Sequence, residues 1–336
     1  MLKLKILKKD TIWQRLKKQS QKSGQPFFVL APMEAVTDTV FRRVIIRAGR
    51  PDIFFTEFTN AEGWNSTAGN HVVGRRLKYK SEEKPLIAQI WSSSPKAITK
   101  MSKDLKKLGF DGIDLNMGCP VKSATKHSSG SALILNPELA GQMIQAAKKG
   151  GLPVSVKTRL GYSKVNEWKV WLKFLLEQDI VALTVHARTK KEMSKVPAHL
   201  DLFPQIVKLK NQVAPKTLII ANGDIMNKSQ GIELAKKSKV DGIMIGRGVF
   251  QNIFCFNSEF NPESSGESKA ELLRMLNYHL DLFEEELKVH PEKRFDPLKR
   301  FFKIYVRGFD GASDLRVQLM ESKNLKEVRR ILKANT

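Results

Sequence analysis

Eight short apolar runs, spaced a few tens of residues apart, constrain this chain more than any other feature. They are Phe27–Ala31, Asp52–Thr56, Leu86–Ile90, Gly112–Leu115, Val154–Lys157, Ala182–Val185, Leu218–Ala221 and Gly242–Ile245. Each is nearly continuous in apolar character rather than alternating, which is the pattern of parallel strands covered on both faces. Helix-forming segments lie between them. Ala97–Leu108 carries Ile98, Met101, Leu105 and Leu108 at helical spacing. Asn136-Pro137 supplies an N-cap and a first-turn proline for Pro137–Lys149. Glu167–Leu176 and Ser229–Lys237, the latter capped by Asn227 or Ser229, continue the rhythm. Eight strands alternating with helices predict an α/β chain folded as a (β/α)8 TIM barrel over residues 25–256. A doubly wound open sheet is the alternative, and eight well-spaced units disfavour it.

The flanks read differently. Residues 1–24 form a basic extension; Lys3, Lys5, Lys8 and Lys9 are followed by no apolar stretch of the kind a secretory signal needs. Residues 257–268, NSEFNPESSGES, are polar and turn-rich and read as a linker. Leu272–Leu287, Leu298–Phe309 and Asp314–Leu332 have helical patterns, so residues 269–336 are expected to form a small all-helical domain. Its outward faces carry Lys299, Arg300, Lys303, Arg307 and Arg316.

Charge narrows the choice of partner. Lys and Arg number 58 against 34 Asp and Glu, a formal net charge of +24. Such a field attracts polyanions and releases their counterions on binding, so nucleic acid is the expected partner. Two cysteines cannot build a disulfide framework or a cysteine zinc site, which points to a reducing, cytoplasmic setting and to no metal. No apolar run reaches the ~18 residues of a membrane helix, so no membrane partner is expected. The expected state is a monomer.

In barrels of this kind chemistry gathers where the strands end. Here the first run is followed by Pro32, Met33 and Glu34, and the second by Glu57. The third carries Gln89, and the fourth is followed by Asn116 and Cys119. The fifth brings Lys157 and Arg159, the sixth His186 and Arg188. The seventh gives Asn222, Gly223 and Asp224, and the eighth Gly246, Arg247 and Gly248. Glycines after the last two strands let backbone N–H groups approach a phosphate, and Arg247 adds a charged donor. A snorkelling lysine and a satisfied core histidine are the plain alternatives for Lys157 and His186.

These residues resemble the tRNA-dihydrouridine synthase family. The likeness runs through APMEAVTD (31–38), TEF (56–58), AQI (88–90), DLNMGCPVK (114–122), GSALI (130–134), VSVKTRLG (154–161), VHARTK (185–190), ANGDI (221–225) and IGRGVF (245–250). It continues more loosely through LKRFFKIYVRGFDGASDLR. The resemblance implies an FMN-containing barrel with a helical tRNA-binding domain, reducing the C5–C6 bond of uridines in tRNA with NADPH. It implies that Cys119 is the proton donor. It implies FMN contacts from Pro32, Met33, Glu34, Gln89, Lys157, His186, Asn222, Gly223, Asp224, Gly246 and Arg247. Asn116 and Arg159 are the expected holders of the uracil. Two stretches depart from the family's usual pattern: HSSG (127–130) and KKEMSKVPAHLD (190–201). Both are expected on tRNA-facing loops.

The implied chemistry explains why a thiol is wanted. Hydride added at C6 leaves charge toward C5 and O4, and C5 then needs a proton. A neutral thiol is a competent acid at a free pKa of about 8.5, provided its surroundings do not acidify it. Cys255, in the apolar stretch QNIFCFN, reads as packing. The competing readings are an FMN barrel acting on a free pyrimidine, as dihydroorotate dehydrogenases do, and a non-catalytic tRNA-binding protein.

Overall fold

The computed structural model describes residues 10–121, 128–258 and 268–335. Its centre is a closed barrel of parallel strands: β1 (Phe27–Leu30), β2 (Ile53–Phe55), β4 (Leu86–Trp91), β5 (Gly112–Met117), β6 (Val154–Arg159), β7 (Ala182–His186), β8 (Leu218–Asn222) and β9 (Gly242–Ile245). A two-residue strand, β3 (Thr59–Asn60), prolongs the second position beside β4. Each strand pairs in parallel with the next, β9 returns to β1, and β2 reaches β4 to close the ring. The open-sheet alternative is thereby set aside.

Alternate residues of each strand face the barrel's interior, and their polarity changes along its axis. Near the strand starts the inward set is apolar: Phe27, Val29, Ile53, Phe55, Ile87, Ile220 and Met244 form one buried cluster. Farther along, the same faces carry Gln89, Asp114, Asn116, Ser155, Lys157, Arg159, Thr184, His186 and Asn222. Register aligns them in rows: Gln89 with Asp114 and Ser155, Asn116 with Lys157 and Thr184, Arg159 with His186 and Asn222. Several strands therefore run one or two residues beyond the apolar stretches that mark them in sequence. The ladder continues while the side chains turn polar.

Helix Ile12–Ser23 closes the apolar end of the barrel. Thr11 and Gln14 form a capping box, and Gly24 ends the helix in a left-handed turn at φ 66°. Ile12, Trp13 and Leu16 are buried, with Trp13 edge-on to Phe27 and Phe55 at 6.4 and 6.5 Å. Lys3, Lys5, Lys8 and Lys9 lie outside the described residues, as do Lys122 and His127 and most of the expected linker.

The C-terminal region is helical: Ser268–Val289, a 3-10 turn Asp296–Phe301 leading into Phe302–Tyr305, Ala312–Glu321 and Leu325–Asn335. The last two were expected as one helix; the chain breaks at Ser322–Asn324, where Glu327 accepts from the Lys323 N–H and Asn324 caps the final helix. The expected helix Leu298–Phe309 is shorter, because Val306 leaves the helical region and Gly308 adopts φ 73°. These helices share one hydrophobic core with the barrel wall. Phe41, on wall helix Thr39–Ala48, packs in a tilted arrangement against Phe301 at 5.0 Å and lies beside His279 at 6.1 Å. Ion pairs Arg43–Glu285, Arg75–Glu292 and Lys293–Asp38 rim this seam.

Behind the seam lies a fully buried ion pair. Arg42 Nε donates to Glu83 at 2.6 Å, and its other nitrogens donate to the carbonyls of Thr37 and Lys78. Glu83 also accepts from Thr39 Oγ1 and the Lys80 N–H. One arginine and one glutamate thus fasten the first wall helix to the segment that leads into β4.

Candidate active site

At the polar end of the barrel a cavity of about 300 Å³ is lined by residues at or just past the ends of β1, β5, β6, β7, β8 and β9. Of the residues expected at a site, it brings together Pro32, Met33, Lys157, Arg159, His186, Asn222, Gly223, Asp224, Gly246 and Arg247. Pro120 lines it as well, which sets its neighbour Cys119 at the rim. Met193, Ser194, Ile225 and Met226 complete the wall. Met193 and Ser194 belong to the departing stretch KKEMSKVPAHLD, which folds back over the cavity; only its position after the sixth strand hinted at this.

Two glycines of the cavity wall pack against neighbouring alanines. A Cβ on Gly246 would meet Ala31 Cβ at 3.4 Å, and Gly223 holds φ +122°, where a Cβ would meet Ala198 at 3.0 Å. Gly248 has a packing reason: a Cβ there would fall 2.2 Å from the Met226 carbonyl oxygen, so the loops after β8 and β9 touch through it.

The cavity is electropositive. Lys157 is pushed down to about 8 by burial and by Arg159, with Asp114 and Cys119 pulling the other way. Its Nζ makes no hydrogen bond to the described residues. His186 is held neutral, well below its usual range, by burial and by Lys157, Arg159, Arg188 and Arg247. Its Nδ1 is buried without a partner, as are Arg188 Nη1 and Thr184 Oγ1 among the described residues. Asp224 bridges Arg188 and Arg247, accepts from the Ala198 N–H at 2.9 Å, and sits at a left-handed φ of 49°. Burial pushes its carboxyl up, but these donors outweigh it and hold it low.

Cys119 sits on a turn fixed from several sides. Asn116 Oδ1 accepts from the N–H groups of Gly118 (3.1 Å) and Cys119 (2.9 Å). Arg159 Nε donates to the Gly118 carbonyl at 2.9 Å, while its Nη1 holds the carbonyls of Thr189 and Met193. The Ser131 N–H donates to the Cys119 carbonyl at 3.0 Å. Burial raises the thiol's pKa, and a hydrogen bond from the Val121 backbone, followed by Lys157 and Arg159, only partly offsets this. The net direction favours the neutral thiol over the thiolate.

Four expected residues stand apart from the cavity lining. Cys119 is at its rim. Glu34 points to an exposed ion pair with Arg76, at 3.1 Å to Arg76 Nε. Gln89 is fully buried below, with Nε2 on Asp114 and Oε1 taking Asn116 Nδ2. Asn116 spends both ends of its amide on Gln89 and the cysteine turn.

Glu57 marks the β2 exit. It accepts from the Ala35 N–H at 2.6 Å and is pushed up to about 7 by burial and by nearby Asp38 and Glu34. Ala35, at φ 56°, gives its carbonyl to Arg300 from the C-terminal helices at 3.0 Å. The loop holding Pro32 and Met33 is therefore gripped from below by a barrel carboxyl and from above by an arginine of the C-terminal region.

Comparison with known proteins gives this geometry a family. The family model described as "Dihydrouridine synthase (Dus)" matches residues 29–336. A Bacillus subtilis (strain 168) protein named "Probable tRNA-dihydrouridine synthase 2" is 53% identical over 308 residues, covering 92% of this chain and 93% of that one. Proteins named "Probable tRNA-dihydrouridine synthase" from Staphylococcus epidermidis and Staphylococcus aureus (strain COL) are 51% and 50% identical over 324 residues. Each alignment covers 96% of this chain, and 96% and 95% of the respective relative. With a match over most of its length and relatives at half identity, the chain belongs to the dihydrouridine synthase family.

Proposed function

We propose that this chain is a cytoplasmic tRNA-dihydrouridine synthase that reduces the C5–C6 bond of uridines in tRNA, with bound FMN, NADPH as reductant and Cys119 as proton donor. The observation that carries the reading is a cysteine turn beside a cationic cavity that holds a buried, unpartnered imidazole nitrogen. His186 lines the cavity with its Nδ1 buried and unpartnered among the described residues, and the Lys157 ammonium lines it beside His186. A buried donor left unpaired is costly, so a ligand rich in acceptors fits there. The flavin ring and its phosphate offer such acceptors, and Gly223, Gly246 and Arg247 suit the phosphate end.

FMN held by Pro32, Met33, Lys157, Asn222, Gly223, Gly246 and Arg247 would supply the hydride that C6 of the uracil takes up. Cys119 Sγ gives its proton to C5, so hydride and proton together add two hydrogens across the double bond. The thiolate left behind is stabilised by Lys157 and Arg159 and regains a proton from water. Arg159 and Asn116 hold the turn that aims the sulfur, and Lys157 would supply positive charge to a flavin bound in the cavity.

A base stacked in RNA cannot reach this cavity and must flip out, with its flanking phosphates held by basic surface. The C-terminal helices offer such a surface in a groove of about 540 Å³ that includes Lys299, Arg300, Lys303 and Arg316 around Val317 and Met320.

The test is direct. The purified protein should carry or take up FMN, and with NADPH it should form dihydrouridine in tRNA from a strain lacking the gene. Cys119→Ala should keep NADPH-driven flavin reduction and abolish uridine reduction. A protein that cannot be loaded with FMN would sink the reading, and loss of both half-reactions in Cys119→Ala would remove the thiol from its role.

A further inference from the structure

Beneath the cavity, four hydrogen bonds run in one direction and a fifth meets them at their end. The N–H groups of Gly118 and Cys119 donate to Asn116 Oδ1. Asn116 Nδ2 donates to Gln89 Oε1 at 2.9 Å, and Gln89 Nε2 donates to Asp114 Oδ2 at 2.7 Å. Ser155 Oγ donates to the other carboxylate oxygen at 2.6 Å. The first four donors point from the cysteine turn toward Asp114, and Ser155 meets the carboxylate from the other side. Register explains the contact: Gln89, Asp114 and Ser155 are paired neighbours on β4, β5 and β6. Gln89, Asp114 and Ser155 are wholly buried, and Asn116 nearly so.

We propose that Asp114 is a positioning residue for Cys119, acting through Gln89 and Asn116. A carboxylate only accepts, so the end of Gln89 that meets it must be Nε2. That turns Gln89 Oε1 toward Asn116, which must answer with Nδ2. The remaining atom of Asn116, Oδ1, then faces the two N–H groups of the cysteine turn. In a water-free interior, bonds in such a chain polarise one another, and a wrongly turned amide would leave buried donors facing donors. The carboxylate at one end thus sets the orientation of two amides and fixes the turn at the other. Lys157, close to both Asp114 and Cys119, is the other charged group at this layer.

The inference rests on the proton-donor role proposed for Cys119, but its first test needs no turnover. The rate at which iodoacetamide alkylates Cys119 in the folded, FMN-loaded protein reports how firmly the turn is held; Cys255 is buried and serves as the internal control. Asp114→Ala and Gln89→Met should each raise that rate about tenfold, and the double variant should do no more than either alone, because the two act in series. Asp114→Asn can still accept from Gln89 while donating to Ser155, so it should stay within about threefold of the parent. In turnover, Asp114→Ala should lower kcat for uridine reduction about tenfold with KM for tRNA unchanged, since a small displacement of a reacting group is costly.

A folded Asp114→Ala protein with the parental alkylation rate would overturn the proposal, as would additive effects in the double variant. If Asp114→Ala does not fold, Gln89→Met and Asp114→Asn decide. An unchanged rate in Gln89→Met, or an equal rise in both, overturns it. If instead Cys119→Ala still reduces uridine while these alkylation results hold, the proton-donor reading fails and the control of the turn stands.

Discussion

His279 offers a quantitative handle on the seam between the barrel wall and the C-terminal helices. It is buried, joined through Nδ1 to the Tyr305 hydroxyl at 2.8 Å, and packed against Phe41 and Phe301. Burial lowers its pKa from 6.5 to about 4, with Asp38 opposing and Lys293 assisting. The unfolded chain therefore takes up a proton between pH 6.5 and about 4 that the folded chain refuses. Stability from this residue is fully present above pH 6.5 and is lost as pH falls through the window. At ~1.4 kcal/mol per pKa unit, a shift of about 2.5 units corresponds to about 3 kcal/mol. Glu57 and Asp114, raised to about 7 and about 6, titrate nearby in the opposite sense, so the pH curve of the parent protein alone mixes the three. The useful observable is the difference between parent and His279→Leu in urea unfolding at pH 7, 6, 5 and 4. Removing the imidazole leaves the Tyr305 hydroxyl unpaired, a constant cost, because that phenol does not titrate in this range. The variant should be the less stable at pH 7 and should gain on the parent by about 3 kcal/mol by pH 4. A stability difference that stays flat from pH 7 to pH 4 would refute the claim that His279 is buried neutral at the seam.

Two further outcomes are expected. Arg42→Met and Glu83→Leu should each cost about 3–5 kcal/mol, since either leaves one buried charge uncompensated, and the double variant should recover much of that loss in urea midpoint. Recovery should be incomplete because Arg42 also serves the Thr37 and Lys78 carbonyls. Replacing Lys299 and Lys303 together by Ala should weaken tRNA binding and lower the slope of log K against log salt by about 2, with FMN affinity and melting temperature unchanged.

The barrel was legible in sequence because strands covered on both faces must be apolar at nearly every position. That same criterion shortened the strands. Asn116, Arg159, His186 and Asn222 belong to the ladder but interrupt the apolar pattern, so they read as loop residues just beyond it. Helix Ile12–Ser23 was missed because only Ile12, Trp13 and Leu16 are apolar in a stretch dominated by Lys and Gln. Three apolar residues suffice for a helix that plugs one end of a barrel.

For the site, strand-exit positions told which residues share a barrel face. They could not tell where an amide or guanidinium spends its hydrogen bonds. Arg159 is the clearest case: its location fits contact with substrate, yet its nitrogens hold the carbonyls of Gly118, Thr189 and Met193. Gln89 is another, placed by sequence among cavity contacts and found below them. Such assignments depend on backbone carbonyls, which every sequence position supplies alike.

The grip on Ala35 bears on how the two halves of the molecule can be separated. Its N–H is bound by Glu57 of the barrel and its carbonyl by Arg300 of the C-terminal helices, two residues beyond the Met33 that lines the cavity. Cutting away the helices would strip Arg300 from this loop, expose Phe41 and leave Asp38 without Lys293. A truncated barrel would then lose RNA affinity and pocket shape together. Module swaps between relatives should preserve activity only when the segment from Pro32 to Asp38 travels with its matching tail.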